Sequence, residues 1–354
     1  MCAATDYAME VLGTTGAGTL YSALGTNVKE TIRQWTRKSQ FLNRVRKVKG
    51  SGKACIFDAE FGVNEAINLA ENADVNYGTD GYADQRVQAV LGWAQYANVI
   101  QITNRARATS SLNNNPSDLA NLLGRNISNA CASIGKTLDT ACFTGAGTAN
   151  LIAGLYPDST GAVGTTGTYA GLARSTYTNF KAVNTQPAAG TALTTDYLDK
   201  IRTDVIVASG EEPDLLVCSP NMLRVLRSFW NQSGYRRWMP GQPNELVNEL
   251  DPIFGMEVIS DINISEDGYG KLFMINSNHV RFEYLEPELD DGDQVIPLLE
   301  SKGQGFEPVY LPLHVQKLSR QGAYSRWLMS INGQLVVDRP NSCAYIGNLS
   351  LSVS

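Results

Sequence analysis

The thirty residues from Asn115 to Thr144, NPSDLANLLGRNISNACASIGKTLDTACFT, constrain this chain more than any other stretch. Apolar side chains recur at Leu119, Leu122, Leu123, Ile127, Cys131, Ile134, Leu138 and Cys142, three and four apart, which makes one stripe of an α-helix. Asn121, Arg125, Asn129, Lys136 and Asp139 fall on the opposite face. Asn115 suits the N-cap, Pro116 the first helical position and Asp118 the positive end of the dipole, while Gly145 supplies a stop. At a rise of ~1.5 Å per residue the helix is roughly 40 Å long, well beyond the common helix of about 11–12 residues. A rod of that length with a single apolar stripe requires something extended to lie along it.

Around this rod the chain has 354 residues, enough for two or more domains and a sizeable core. Hydrophobic residues at 43% and charged residues at 18% exclude a disordered chain. The net charge is −6, but from Lys29 to Lys53 there are nine Lys or Arg against one acid, Glu30, so the remainder carries −6 − 8 = −14. A split this sharp gives one segment its own partner. No apolar run reaches the ~18 residues of a membrane span, and MCAATDYAME lacks the pattern of a secretory signal. Cys2, Cys55, Cys131, Cys142, Cys218 and Cys343 show no CxxC and no regular spacing, which predicts scattered, mostly buried, reduced thiols.

In chain order, residues 1–26 are small and Gly/Thr-rich. Residues 27–47 predict a second amphipathic helix, with Val28, Ile32, Trp35, Leu42 and Val45 on one side and basic residues on the other. Phe57, Ala59, Phe61 and Val63 alternate with polar residues, and Val87–Thr103 is again β-prone, so the two predict the long arms of an extended hairpin with a wide polar tip. Such a ribbon is marginal alone in water. Residues 144–171 hold seven Gly and six Thr, which predicts a flexible loop. A capped helix from Thr195, a strand at Leu215–Cys218 and a helix opened by Ser219-Pro220 follow. Strands are predicted at Met256–Ile259, at Leu272–Ile275 and Val280–Leu285 around a turn, and in closing segments at Val315–Leu318, Ser330–Val337 and Cys343–Leu349. Rod and ribbon as drawn have apolar faces that one chain does not cover, which argues for an obligate assembly.

Chemistry is sparse. His279 and His314 have no Cys or acid partner at ligand spacing, so neither a zinc site nor a triad can be drawn. Ala130–Thr137, ACASIGKT, fits a loose phosphate-binding loop but lies inside a helical pattern with no preceding strand. Asp290, Asp291 and Asp293 lack calcium-loop spacing and belong to a solvated acidic loop. Arg224, Arg227, Arg236 and Arg237 are interleaved with Trp230, Tyr235 and Trp238, a composition that fits stacking on bases or, with no long basic context around it, a subunit contact. The basic stretch 29–53 fits either a solvated face or contact with nucleic-acid backbone or a neighbour's acidic surface.

The order of parts resembles the major capsid protein of tailed bacteriophages, the Hong Kong 97-like capsid fold. VKETIRQWTRKSQFLNRVRK (Val28–Lys47) resembles its N-terminal arm, Phe57–Thr103 its extended β-hairpin or E-loop, and Asn115–Thr144 its spine helix. PDLLVCSPNMLRVLRSF (Pro213–Phe229) is similar to its strand–turn–helix, IFGMEVISDINI (Ile253–Ile264) with GKLFMINSNHVRF (Gly270–Phe282) to its Gly-plus-strand segment and later hairpin, and GQLVVDRPNSCAYIGNL (Gly333–Leu349) to its closing strands. The resemblance implies an α+β fold in four parts. These are an arm with the basic helix (1–55), the E-loop (56–110), a peripheral domain with the spine helix (111–210 and 311–354) and an axial domain (211–310).

The resemblance also implies a non-enzymatic shell subunit of the virion, assembled in the host cytoplasm as hexamers and pentamers of identical copies around double-stranded DNA. Scaffolding protein, portal and a cement protein are the further partners it implies, with no cofactor and no membrane. Contacts to DNA or a neighbour fall to Arg33, Arg37, Lys38, Arg44, Arg46 and Lys47, and axial subunit contacts to Arg227, Trp230, Arg236, Arg237 and Trp238. The family's covalent cross-link through a hairpin Lys is not supported, since no Lys occurs between Lys53 and Lys136. About 55 residues precede the hairpin, too few for a fused scaffold, which points to a separate one. Three other readings stay open: an encapsulin-like compartment, a nucleotide-binding enzyme using Ala130–Thr137, and a filament or tail protein.

Overall fold

The computed structural model describes residues 40–61, 86–103, 116–147, 150–232, 253–287, 294–301, 309–321 and 324–352. The first described elements are helix α1 (Gln40–Arg44) and strands β1 (Arg46–Lys49), β2 (Ala54–Glu60), β3 (Arg86–Gly92) and β4 (Ala94–Thr103). The rod is α2 (Pro116–Thr144). Then come β5 (Thr168–Tyr169), β6 (Leu172–Ala173), β7 (Val183–Thr185), α3 (Thr195–Ser209), β8 (Leu215–Cys218) and α4 (Pro220–Gln232). The remainder is β9 (Glu257–Ser260), β10 (Gly270–Ile275), β11 (Val280–Tyr284), β12 (Gln294–Ser301), β13 (Val309–Gln321), β14 (Tyr324–Val337) and β15 (Ala344–Leu349).

Two sheets organise these elements. The first has the order β1-β11-β14-β13-β12, with β4 also paired to β14. The second has the order β7-β15-β10-β8-β9. In β10, GKLFMI, every residue is buried, as expected for a strand flanked by β8 and β15 and covered on both faces. β15 pairs with β10 of the 211–310 segment on one side and with β7 of the 111–210 segment on the other, so the second sheet crosses the boundaries expected at residues 210 and 310. Its run of buried residues, Ala344 to Gly347, can be covered on both faces only inside a sheet.

The helix stop works as expected: a Cβ at Gly145 would lie 2.1 Å from the Ile152 carbonyl, so only Gly lets the loop fold back here. The pattern in Ala130–Thr137 is helix interior, with Ala130, Cys131 and Ile134 buried and Lys136 exposed, so its backbone N–H groups are not free to cradle phosphate. α3 is capped by Thr194, whose hydroxyl accepts from Tyr197 N at 3.2 Å, rather than by Thr195. Ser219 caps α4, accepting from Met222 N at 3.3 Å.

Several expectations are corrected. The helix expected over 27–47 is helical only at Gln40–Arg44 among the described residues; the chain then becomes a strand, where Val48 of β1 pairs with Glu283 of β11 in a parallel ladder. The return arm of the hairpin divides between two partners. β2 pairs with β3 over seven residues, but beyond Trp93 the return arm leaves and β4 pairs with β14 over ten. Trp93 fixes this break: its indole N–H donates to Gly52 O at 2.9 Å, and a Cβ at Gly50 would lie 2.3 Å from its ring. β10 and β11 form no hairpin, because they belong to different sheets.

The loop after the rod is packed rather than loose. Arg174, fully buried, donates to the carbonyls of Ser159, Thr166, Gly161 and Ala162 and lies 5.6 Å from the Tyr169 ring centroid. One cation thus satisfies several carbonyls that a Gly/Thr-rich loop would otherwise leave unpaired.

The largest correction concerns the apolar stripe of the rod. Ile127, Cys131, Ile134, Leu138 and Cys142 are 0–3% exposed within the single chain, where α2 packs along β4. Asp139, assigned to the solvent face, is also fully buried and accepts from the Asn263 amide at 2.6 Å. The side chains of Leu119, Leu122, Leu123, Asn121 and Arg125 lie outside the described residues, as do Asn115 and the hairpin tip. The inner face of the ribbon, Cys55, Phe57, Ala59, Ala89 and Leu91, is likewise buried in the same chain. One copy therefore covers most of what was expected to wait for a neighbour. Five described cysteines are free and buried, and Cys2 lies outside the described residues.

Candidate assembly surfaces

What the ribbon leaves uncovered is its outer face. Alternation puts Cys55, Phe57 and Ala59 inward and Ile56, Asp58 and Glu60 outward. In the β2–β3 register Ile56 stands opposite Val90, Asp58 opposite Gln88 and Glu60 opposite Arg86. Ile56 is 53% and Val90 44% exposed, which makes a cross-strand apolar pair on a surface otherwise lined by polar and charged side chains. Inward, the Phe57 ring lies under the Arg281 guanidinium, 6.0 Å from centroid to Cζ, so the ribbon is fastened to β11.

The arm is rooted inside the fold. Phe41 and Leu42 are fully buried, and Phe41 N donates to Asp261 at 3.2 Å. A chain of rings runs inward from this point: Phe41 to Phe143 of α2 at 4.9 Å, Phe143 to Phe273 of β10 at 5.6 Å, Phe273 to Tyr345 of β15 at 5.2 Å, and Tyr345 to Tyr156 at 6.4 Å. Arm, rod and second sheet thus share one packed seam.

The six basic residues expected to face DNA or a neighbour divide. Arg33, Arg37 and Lys38 lie outside the described residues. Arg44 is ion-paired with Glu257 at 2.7 Å, and Arg46 is exposed. Lys47 is corrected: it is 6% exposed, because a strand in place of a helix turns its side chain to the same face as Phe282, its fully buried register partner. Burial lowers its pKa from 10.5 to about 8. Among the described residues its amine has only the Val45 carbonyl, at 3.5 Å.

Of the expected axial contacts, Arg227 and Trp230 lie on α4, while Arg236, Arg237 and Trp238 are outside the described residues. Arg224 donates to Leu351 O at 3.2 Å. The charge of Arg227 acts on buried Cys218, whose thiol desolvation nevertheless raises to about 12. Asp290, Asp291 and Asp293 also lie outside the described residues.

His279 has partners that sequence spacing did not reveal. Its two ring nitrogens face Glu211 and Asp338, 68 and 59 residues away in the chain, at 2.8 and 2.9 Å. Among the described residues no group of three or more His, Cys, Asp or Glu is placed to hold a metal, and no helix is long and apolar enough to cross a membrane.

Comparison with known proteins gives a consistent result. No curated protein sequence matches. Among solved structures, the capsid asymmetric unit of cyanophage A-1(L) superposes with a TM-score of 0.68 at 19% identity, covering 89% of this chain and 93% of that one. The capsid of a native GTA particle gives 0.56 at 11% identity, covering 89% and 90%. The holo-SrpI encapsulin of Synechococcus elongatus gives 0.51 at 14% identity, covering 87% and 86%. At these identities the likeness concerns the fold. The model of the family described as SU10 major capsid protein matches residues 6–350, nearly the full length. With the phage capsid fold and the family match together, the chain belongs to the SU10 major capsid protein family and is a structural shell protein of the virion.

Proposed function

We propose that many identical copies of this chain close into an icosahedral shell of hexamers and pentamers around double-stranded DNA, without catalysing a reaction, and that assembly takes place in the host cytoplasm. The exposed Ile56–Val90 pair carries the reading, because an apolar pair on an otherwise polar ribbon is what a neighbouring copy would cover. In this reading the ribbon is the E-loop and lies on the next subunit. β8, β9 and β10, with β15 and β7 beside them, form the axial part. α2 and the first sheet form the peripheral part.

Arg46 with Arg33, Arg37 and Lys38 face DNA or a neighbouring copy. Arg227, Trp230, Arg236, Arg237 and Trp238 contribute to the axial contacts. A separate scaffold, a portal and a cement protein complete the assembly. Lys47, being buried, is left out of the DNA contacts, and Arg44 serves the arm root through Glu257.

Electron microscopy of the purified protein tests the reading. Closed particles or capsomer rings are expected from the wild type. Replacing both Ile56 and Val90 by Ser should abolish closed particles while the subunit melts within about 0.5 kcal/mol of wild type, as for exposed substitutions. Wild-type monomers under all assembly conditions, or normal shells from the double variant, would contradict it. The contents of the particles, nucleic acid or a protein cargo, separate the virus shell from an encapsulin-like compartment.

A further inference from the structure

The outermost strand of a sheet presents a row of unpaired backbone N–H and C=O groups, which pairs with any other extended chain unless something blocks it. In the first sheet β1 and β12 are guarded. β1 (RKVK) carries the exposed cations Arg46 and Lys49, and β12 (QVIPLLES) carries Pro297, Glu300 and a register shift between them. In the second sheet the end strands β7 and β9 are only three and four residues long. In the ribbon, β2 carries Asp58 and Glu60, and the Val90 N–H of β3 donates to Ala170 O at 2.9 Å.

β4 has none of these devices. It pairs with β14 over ten residues without a register shift, and no described strand flanks its other side. Its sequence, AQYANVIQIT, contains no charge, no Pro and no Gly. At a rise of ~3.4 Å per residue this bare edge is roughly 30 Å long.

The ladder fixes which groups point outward. Leu285 N donates to Asn332 O at 3.0 Å, continuing the register in which Tyr284 of β11 stands opposite Gly333 of β14, so Asn332 turns its N–H and C=O toward β11. Gly333 is opposite both Tyr284 and Ala94, which puts β4 on the other side of β14 from β11. Asn332 therefore makes no ladder bond with Gln95, its register partner on β4. By alternation, the N–H and C=O of Gln95, Ala97, Val99 and Gln101 all point away from β14. None of these groups has a partner among the described residues. The four side chains are exposed as well, Val99 to 50%.

We propose that the open edge of β4 takes an extended segment of a neighbouring copy as a further strand of the first sheet. The chemistry of the edge selects the occupant. A row of alternating donors and acceptors is satisfied in full only by another extended backbone. β4 has no charge to pair with, so an uncharged strand fits it, with an apolar side chain beside Val99. A copy of the same chain supplies that strand, because a shell subunit meets many identical copies. β4 also runs on from β3, so the edge adjoins the exposed Ile56–Val90 pair. Guards on β1 and β12, and none on β4, are what a sheet needs if one edge is kept for pairing in the assembly. The inference rests on the shell reading and adds that a neighbour is bound through main chain as well as side chains.

Hydrogen exchange read by mass spectrometry tests the edge directly, on the full-length chain as unassembled subunit and as particles assembled from purified protein alone. In the subunit, the amides of Tyr96, Asn98, Ile100 and Ile102, held by β14, should exchange slowly and those of Gln95, Ala97, Val99 and Gln101 fast; in particles the outward set should become slow too. Val99→Pro removes one outward N–H and no ladder bond, so the subunit should still fold while closed particles are lost. Asn98→Pro, which removes a ladder donor, should instead lower subunit stability. A second block, Val99→Lys with Gln101→Lys, puts charge on the edge without altering the backbone and should also abolish particles. Slow outward amides already in the unassembled subunit would show that the same chain covers the edge, and would overturn the proposal. So would particles in which those amides stay fast, or normal particles from either blocked variant; these outcomes leave the shell reading standing. Failure of the wild type to form particles would remove the shell reading and this proposal together.

Discussion

Replacing Phe143 by Ala cuts the ring seam at its centre, and the structure sets the size of the effect. Phe143 is 1% exposed and lies between Phe41 of the arm root and Phe273 of β10, at 4.9 and 5.6 Å. Truncation of a buried Phe costs about 3–5 kcal/mol in transfer and cavity terms. Each ring pair accounts for about 0.5–1.5 kcal/mol of coupling. Set against a native stability of about 5–15 kcal/mol, the loss is a large fraction of the total. Urea unfolding of the unassembled subunit measures it without the added stability of the shell.

A double-mutant cycle with Phe41→Ala then isolates the contact between arm and rod. The two changes should fall short of additivity by about 0.5–1.5 kcal/mol. Phe143→Ala paired with Ile56→Ser, far apart on the ribbon's outer face, should be additive within about 0.5 kcal/mol. A loss below about 1 kcal/mol for Phe143→Ala, or full additivity with Phe41→Ala, would refute the claim that the arm root is fastened inside one chain.

Two further perturbations probe buried cations. Arg174→Met removes the donor that serves four loop carbonyls; the subunit should lose about 1–3 kcal/mol for each acceptor left dry, and limited proteolysis should cut within residues 157–167, intact in wild type. Lys47 works in the other direction. Its folded pKa of about 8 lies below the 10.5 of the free side chain, so the unfolded state binds more protons up to about pH 10.5 and stability rises with pH between the two values. Lys47→Met should therefore stabilise the subunit at neutral pH, by up to about 3 kcal/mol, and flatten that rise. Unfolding curves at pH 7 and pH 10 check both, and a destabilised Lys47→Met would show that the ammonium has a partner worth more than its burial costs.

Local pattern carried much of this fold. The stripe from Ile127 to Cys142, the apolar runs Leu215–Cys218 of β8 and Leu272–Ile275 of β10, the cap at Ser219 and the stop at Gly145 each follow from spacing and residue type, and each lies where those features place it. What could not be read are choices between partners far apart in the chain. The run after Val87 is equally good strand on both sides of Trp93, but one half pairs with β2 and the other with β14, more than 200 residues away. Lys47 looked solvent-facing because a helical period was extended through Val45, where a β-branched alternation takes over. His279 lacked a nearby acid because its two carboxylates arrive from other elements.

The same limit applies to the apolar stripes of rod and ribbon. An apolar stripe shows that a surface must be covered; it does not show whose atoms cover it. For Ile134, Leu138 and Cys142 the cover is β4 and the neighbouring loop of the same chain, and for Phe57 it is β11. The case for assembly therefore moves from the large stripes, whose described residues are covered within one copy, to the small pair Ile56–Val90, which no periodicity argument would single out because it sits on the polar side of an alternating strand. In an obligate assembly of small contacts a subunit can fold first and associate afterwards. Substitutions on the inner ribbon face, such as Phe57→Ala, should then lower subunit stability, while those on the outer face leave stability intact and act on assembly alone.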